Sequence, residues 1–335
     1  MTAVPEYPVE RLTDAMLFHR EIVEPCRPVV LRGLGRGWPV IAAAAESPGA
    51  FARYLAPFDA GREMEAFFGE PRIGGRYYYD ETLAGFNFER RRMRFAAAIE
   101  AIVAGVDRVD AGSIYAGSLP VDDYLPGLAD RNPLPLLPDV RPRIWIGHAS
   151  DVSAHYDMMD NLACVVAGRR RFTLYAPDLI ESLYVGPIDH TMAGQPVSLA
   201  ASAAPGDPRY PRFEAARDRA LVANLEPGDA LYLPKLWWHR VESTAPFNVL
   251  VNYWWDAFAA GPDAPYTTML LAMIAIAERP PAERAAWRAL FEHYVFRENG
   301  HPLAHLPPAR HGILGPLHDN YGRIRAYVMR MLRGG

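Results

Sequence analysis

The segment AHYDMMDNLACVVAGRRRFTLYAP, residues 154–177, decides the fold. Leu162-Ala163-Cys164-Val165-Val166 is a short unbroken apolar run, Gly168 interrupts it, and Arg171 to Tyr175 resumes with β-favouring residues. Two short runs of this kind about a glycine turn read as a strand pair. Just ahead of them stand His155 and Asp157, with Tyr156 between. On an extended chain residues i and i+2 point to one face, so an imidazole and a carboxylate can converge on one ion. A second imidazole would complete a facial set of two His and one carboxylate. That set suits a divalent first-row metal and leaves coordination positions open. His-x-Asp alone is a weak signal, and its surroundings have to supply the rest.

Outward from this segment the pattern stays β-rich. GDALYLPKLWWHRVES, residues 228–243, turns at Gly228, runs as a strand from Ala230 to Leu233, and starts another at His239. NVLVNYWW, residues 248–255, follows it. With Ile114-Tyr115 and Arg143 to Ile146, such runs fill Ser113 to Asp256, divided by Gly, Pro and Asp. Repeated short strands with turn residues between them predict an all-β barrel or sandwich. The stretch 187–220, richer in Pro, Ala and Ser, reads as a surface insertion.

The flanks differ. Thr13 is expected to cap a helix through Leu17 to Val23, and Pro28 to Arg32 reads as a strand stopped by Gly33. Ser47-Pro48 is a cap followed by proline at the first helical position, opening a helix through Phe51 and Leu55. Met64 to Phe68 and Arg76 to Tyr79 read as strands. Phe88 to Ala104 reads as an amphipathic helix, with Arg90, Arg91, Arg92 and Arg94 on its solvated face. Beyond Asp256 helices are predicted over Tyr266–Glu278, Ala282–Val295 and Tyr321–Leu332. In the second, Trp287, Leu290, Phe291 and Tyr294 share a face; in the last, Ile324, Val328, Met331 and Leu332 should point inward. The chain is thus expected to divide into 1–112, a mixed α/β segment extending the barrel, 113–256, the barrel itself, and 257–335, a helical region.

Composition excludes several classes of function. Half of the 335 residues are hydrophobic, 22% are charged, and the formal net charge is -4. A nucleic-acid binder usually carries a basic surplus, so no nucleic-acid partner is expected. Lys235 is the only lysine. Cys26 and Cys164 make no disulfide framework and no zinc cluster, and Cys164, inside its apolar run, reads as a buried inert thiol. The start, MTAVPEYPVERLTD, is neither basic nor apolar, and no segment of ~20 apolar residues is present to span a bilayer. A cytoplasmic protein without membrane contact is expected.

The three quoted segments together resemble the JmjC and cupin-like Fe(II)- and 2-oxoglutarate-dependent oxygenases. They are especially similar to the subgroup that contains the asparaginyl hydroxylase inhibiting hypoxia-inducible factor. The resemblance covers about Pro28 to Trp255 and is looser in the C-terminal helices. It implies a mainly β fold, a double-stranded β-helix of the cupin or jelly-roll type, with flanking helices and a C-terminal helical appendage. It implies that His155, Asp157 and His239 hold Fe(II), and that 2-oxoglutarate is the co-substrate with O2. Arg170 stands where the family places a lysine for the far carboxylate; arginine offers a two-point fork where lysine is a point charge. Asn161, Asn252 and Tyr115 match polar positions of the family's co-substrate pocket. A threonine serves the close relative where this chain has Val152, with Ser153 next to it as a displaced hydroxyl. Trp254, two beyond Asn252, can wall the site, and His148 is expected to make no metal contact. The activity implied is hydroxylation of a C–H bond, of a protein or peptide side chain first. A small metabolite as substrate, or a cupin metalloenzyme independent of 2-oxoglutarate, is the alternative. The C-terminal helices are expected to form a homodimer.

Overall fold

An unbroken apolar strand has to be covered on both faces, and the apolar run of residues 162–166 is covered in that way. In the computed structural model, which describes all residues except 109–111, 193, 260, 262 and 335, this run lies in a strand whose eight residues are all buried. The strands are β1 Thr2–Ala3, β2 Val29–Leu31, β3 Glu63–Gly69, β4 Arg76–Tyr77, β5 Phe88–Arg94, β6 Ser113–Pro120 and β7 Pro142–Gly147. They continue as β8 Ser150–His155, β9 Asp160–Ala167, β10 Arg170–Tyr175, β11 Leu221–Leu225, β12 Ala230–Leu233, β13 Trp238–Ser243 and β14 Asn248–Trp255. One sheet has the order β1-β11-β10-β13-β8-β4, the other β2-β12-β9-β14-β7-β6-β3-β5. The protein is mainly β, a jelly roll with helices before and after it.

The period-2 alternation of β9 divides the core. Ala163 and Val165 pack with Phe172, Leu174, Leu231 and Leu250, side chains drawn from both sheets, so this cluster is the barrel interior. Leu162, Cys164 and Val166 point the other way, onto Phe18, Ile22, Phe51, Leu55 and Ile99 of the N-terminal helices. Both faces exclude water, which is why the run reads as continuous rather than alternating. Gly168 makes the β9–β10 turn at φ +73, and a Cβ there would lie 2.2 Å from Asn248 Oδ1. Only glycine fits that turn. Cys164 is buried, Cys26 exposed, and both are free thiols; burial raises the Cys164 pKa well above the thiol range.

Several local expectations are corrected. Residues 88–104 are not one helix: β5 pairs with β3 along its whole length, from Gly69 opposite Phe88 to Glu63 opposite Arg94, and the helix is Phe95–Gly105. The arginines face glutamates across the ladder, Arg92 to Glu63 at 2.8 Å and Arg90 to Glu65 at 3.6 Å. Cross-strand charge pairs therefore outweigh local helix propensity. The first cap is Asp14 rather than Thr13, its carboxylate accepting from Leu17 N at 2.9 Å. The stretch 187–220 is more than a surface insertion, since Met192, Val197, Ala200, Ala201 and Phe213 are buried. Ala200, Ala201, Ala216 and Ala220 pack in the interior, where small residues allow close approach.

Two compact units are present, Met1–Ala257 and Phe258–Gly335. The second carries helices Pro265–Ile276, Pro281–Phe291 and Leu317–Leu332. Of the four residues expected to point inward on the last helix, Ile324 is half-buried, whereas Val328 is 36% exposed, Met331 55% and Leu332 59%. No helix among the described residues is long and apolar enough to cross a membrane.

Candidate metal centre

Strands β8 and β13 are neighbours, and the register sets His155 opposite His239. Their rings lie 4.3 Å apart, centroid to centroid. Strand β8 ends at His155, so Asp157 is held by the loop that follows rather than by strand alternation. A backbone bond from Leu236 N to Asp157 O, 2.9 Å long, ties that loop to the turn before His239. One ligand atom from each of His155, Asp157 and His239 lies within 4.8 Å of the others, a grouping that could hold a metal ion.

The state of the imidazoles fits that use. His155 Nδ1 lies 2.8 Å from Ser153 O, and His239 Nδ1 lies 3.0 Å from Trp237 O. A backbone carbonyl on one ring nitrogen fixes the tautomer and presents the other as a lone pair. His239 Nε2 points to Asp157 Oδ2 at 3.7 Å. Burial, aided by the neighbouring His155, pulls the His239 pKa down to about 4. Its imidazole is therefore neutral near pH 7, as a metal ligand must be.

The three ligands open on a cavity of about 150 Å³. Arg170, Tyr115, Asn161, Asn252 and Trp254 line it as well, together with Val152, whereas Ser153 does not. Ser153 is wholly buried and its hydroxyl has no partner; its carbonyl is what holds His155. Arg170 is 3% exposed and bonds the Tyr115 hydroxyl, while its Nε is unpaired. Burial lowers the Arg170 pKa and raises that of Tyr115. Asn252 accepts from Trp145 Nε1 at 2.7 Å and donates to Asn161 Oδ1 at 3.3 Å. His148 is apart from all this: Ile114 N donates to its Nδ1, and its Nε2 meets Ile102 O at 2.8 Å.

A model of the cupin-like domain matches residues 15–261. The chain belongs to that family. Shorter matches link this cupin-like domain to Jumonji C domain-containing protein 5 of Drosophila melanogaster, 39% identical over 116 residues, 34% of this chain and 27% of that protein. Lysine-specific demethylase JMJ31 of Arabidopsis thaliana is 36% identical over 119 residues, 34% of this chain and 20% of that protein. tRNA wybutosine-synthesizing protein 5 of Mus musculus is 37% identical over 101 residues, 30% of this chain and 29% of that protein. The matches thus span between 20% and 29% of these relatives' own lengths.

Sequence reasoning left out part of the cupin-like domain's cavity. Trp145, on β7, holds Asn252 and meets Trp254 edge-on at 5.8 Å. Its place on the inward side of β7 was the available signal. Gln195, Met192 and Val197 reach the cavity from the stretch taken as a surface insertion. That segment is fastened over the ligands: Ser198 N donates to Ala154 O at 2.7 Å, and Arg90 Nη2 to Met192 O at 2.7 Å. Phe88 lines both the cavity and an open groove of about 1020 Å³ bordered by Phe68, Arg72, Arg76, Tyr79 and Phe86.

Proposed function

We propose that this protein is an Fe(II)- and 2-oxoglutarate-dependent oxygenase that hydroxylates a C–H bond of a protein or peptide side chain. The observation that carries the reading is a two-His, one-carboxylate group facing a buried arginine across one small cavity. A buried cation with an unpaired donor favours an anion beside it. The names of relatives, a demethylase and a wybutosine-synthesizing protein, agree with oxidative chemistry on a macromolecule.

His155, Asp157 and His239 would hold the iron. Bound Fe(II) would supply O2 activation coupled to oxidative decarboxylation of 2-oxoglutarate, giving succinate, CO2 and a hydroxylated substrate. The chain's own residues do the rest. Arg170 and Tyr115 bind the far carboxylate of the co-substrate by charge-assisted hydrogen bonds. Asn161 and Asn252 present amide groups along the cavity wall, and Trp145 and Trp254 keep bulk water from it. A cavity of about 150 Å³ is small beside the ~300–1,000 Å³ typical of drug-sized ligand sites. One small dicarboxylate fills it, so the substrate reaches in from the groove past Phe88. A groove of mixed charge suits a peptide segment better than a polyanion.

The C-terminal unit is proposed to cover its exposed apolar helices with a second copy, making a homodimer. Light scattering of the full-length protein decides that point, and a monomer would defeat it.

The test of the activity is anaerobic titration of the protein with Fe(II) and 2-oxoglutarate, followed by succinate assay in air against peptide and metabolite libraries. A weak visible charge-transfer band, and succinate formation lost in His155→Ala, are expected. Absence of both overturns the reading in favour of a cupin metalloenzyme independent of 2-oxoglutarate. Turnover confined to metabolites overturns the peptide assignment alone.

A further inference from the structure

Three residues beyond the metal-binding aspartate lies a second carboxylate, Asp160, at 0% exposure. It opens β9 and pairs with Trp255 on β14. Its Oδ1 accepts from the Tyr232 hydroxyl at 2.9 Å and from Lys235 N at 3.4 Å. Its Oδ2 accepts from Ala257 N at 3.2 Å and lies 3.6 Å from Lys235 Nζ, which also bonds Asp256. One side chain thus joins the segment after Asp157, the end of β12, the turn before His239 and the end of β14.

Asp160 is wholly buried while Lys235 is 27% exposed, and burying a carboxylate for such a pair is a poor means of stabilising a fold, because apolar side chains of the same volume usually do as well or better. The surroundings of Asp160 give it a different use. The turn Pro234–Trp237 holds Leu236 at φ +68, left-handed backbone that leucine seldom adopts. In that conformation Leu236 N reaches Asp157 O at 2.9 Å, and Trp237 O reaches the His239 ring at 3.0 Å. Both distal features of the metal centre therefore depend on a turn that a relaxed leucine would leave. Leu236 itself is 44% exposed.

We propose that Asp160 is a positioning residue for the metal centre: with Tyr232 and Lys235 it clamps the 234–237 turn in its left-handed form, so that Asp157 and His239 face one another. The proposal rests on the metal reading above. Oδ2 of Asp160 faces two donors, Ala257 N and Lys235 Nζ, and Oδ1 faces Lys235 N besides the Tyr232 hydroxyl, so Asp160→Asn removes the charge opposite Lys235 and sets its NH2 against a backbone N–H in either orientation. The clamp opens, and the ligands lose their mutual setting while the barrel interior, made of other residues, stays folded.

The test is Mn(II) binding, read from the electron paramagnetic resonance signal of free Mn(II), well below the unfolding temperature. Asp160→Asn should weaken Mn(II) binding about tenfold or more, the scale of loss when groups that orient metal ligands are removed, with an unchanged far-ultraviolet circular dichroism spectrum. Tyr232→Phe, which removes only one hydroxyl, should give a smaller loss of the same kind, so an Asp160→Asn protein that failed to fold would leave the question answerable. Adding Leu236→Gly to either variant should restore much of the affinity, because glycine takes a positive φ without strain. A merely structural Asp160 would lower the unfolding temperature, leave Mn(II) affinity as it was, and gain nothing from glycine at 236; that result overturns the clamp. Wild-type protein that binds no Mn(II) overturns the metal reading on which the clamp rests.

Discussion

The two units of this chain use the same apolar residue types to opposite ends. Among the described residues, seven large hydrophobic side chains are exposed within Met1–Ala257 and eighteen within the much shorter Phe258–Gly335. In the barrel unit Phe172, Phe51 and Trp238 are at most 2% exposed. In the helical unit Trp287 is 41% exposed and Ile274 83%. A sheet curled on itself buries its own apolar face, whereas three helices of 12, 11 and 16 residues leave most of theirs uncovered. Large exposed apolar patches are uncommon on monomeric proteins, so the contrast between a unit built around its own core and one whose apolar helices stand exposed is the ground for the second copy proposed above.

The contrast can be broken or sharpened by substitution. The largest effect belongs to the site that the barrel exists to position. His155→Ala should abolish succinate formation and metal binding with little change in the far-ultraviolet circular dichroism spectrum; a variant with residual iron-dependent turnover would place the metal elsewhere. Phe172→Ala should cost about 3–5 kcal/mol in chemical denaturation, since it opens a void in the barrel interior. The equivalent truncation in the helical unit, Trp287→Ala, should change stability far less at protein concentrations where the chain is monomeric. Ile274→Asp should instead weaken self-association, by about 2 kcal/mol or roughly thirtyfold if the helix lies at the centre of the contact, as sedimentation equilibrium would report. Arg170→Leu should raise the 2-oxoglutarate dissociation constant roughly tenfold to a hundredfold, the worth of charge-assisted hydrogen bonds. The smallest effect is that of Asp14→Ala, a lost helix cap worth about 1 kcal/mol on thermal unfolding.

Much of the barrel was legible because its strands carry their instructions locally. The 162–166 run, the glycine turn and the 248–255 run became β9, the turn at Gly168 and β14. The spacing of His155 and Asp157 was legible too, although the reason first given for it was incomplete. Strand β8 stops at His155, and a backbone bond from Leu236 brings Asp157 to the ligand group. Long-range partners of that kind leave no local pattern. The same holds for Phe88 to Arg94, whose strand state is fixed by the ladder with Glu63 to Gly69. Trp145 was missed because an inward tryptophan on a half-buried strand reads as core until its indole is found on Asn252. Ser153 was offered as a substitute hydroxyl at Val152, yet adjacent residues on a strand face opposite ways, and Val152 is the one that lines the cavity.

Arginine at position 170 has a consequence for how the site behaves in alkali. Burial lowers the pKa of the Arg170 guanidinium, but from a starting point so high that the group keeps its proton throughout the working range. A lysine buried to the same degree would have its pKa pulled down as well, and would shed its charge as pH rose through that value. Affinity for a dicarboxylate should therefore hold steady from neutrality to about pH 10 in this protein and fall over the same range in Arg170→Lys. In the proposed role, this choice of cation makes capture of the dicarboxylate independent of proton concentration, and an alkaline loss of turnover would have to originate in another group.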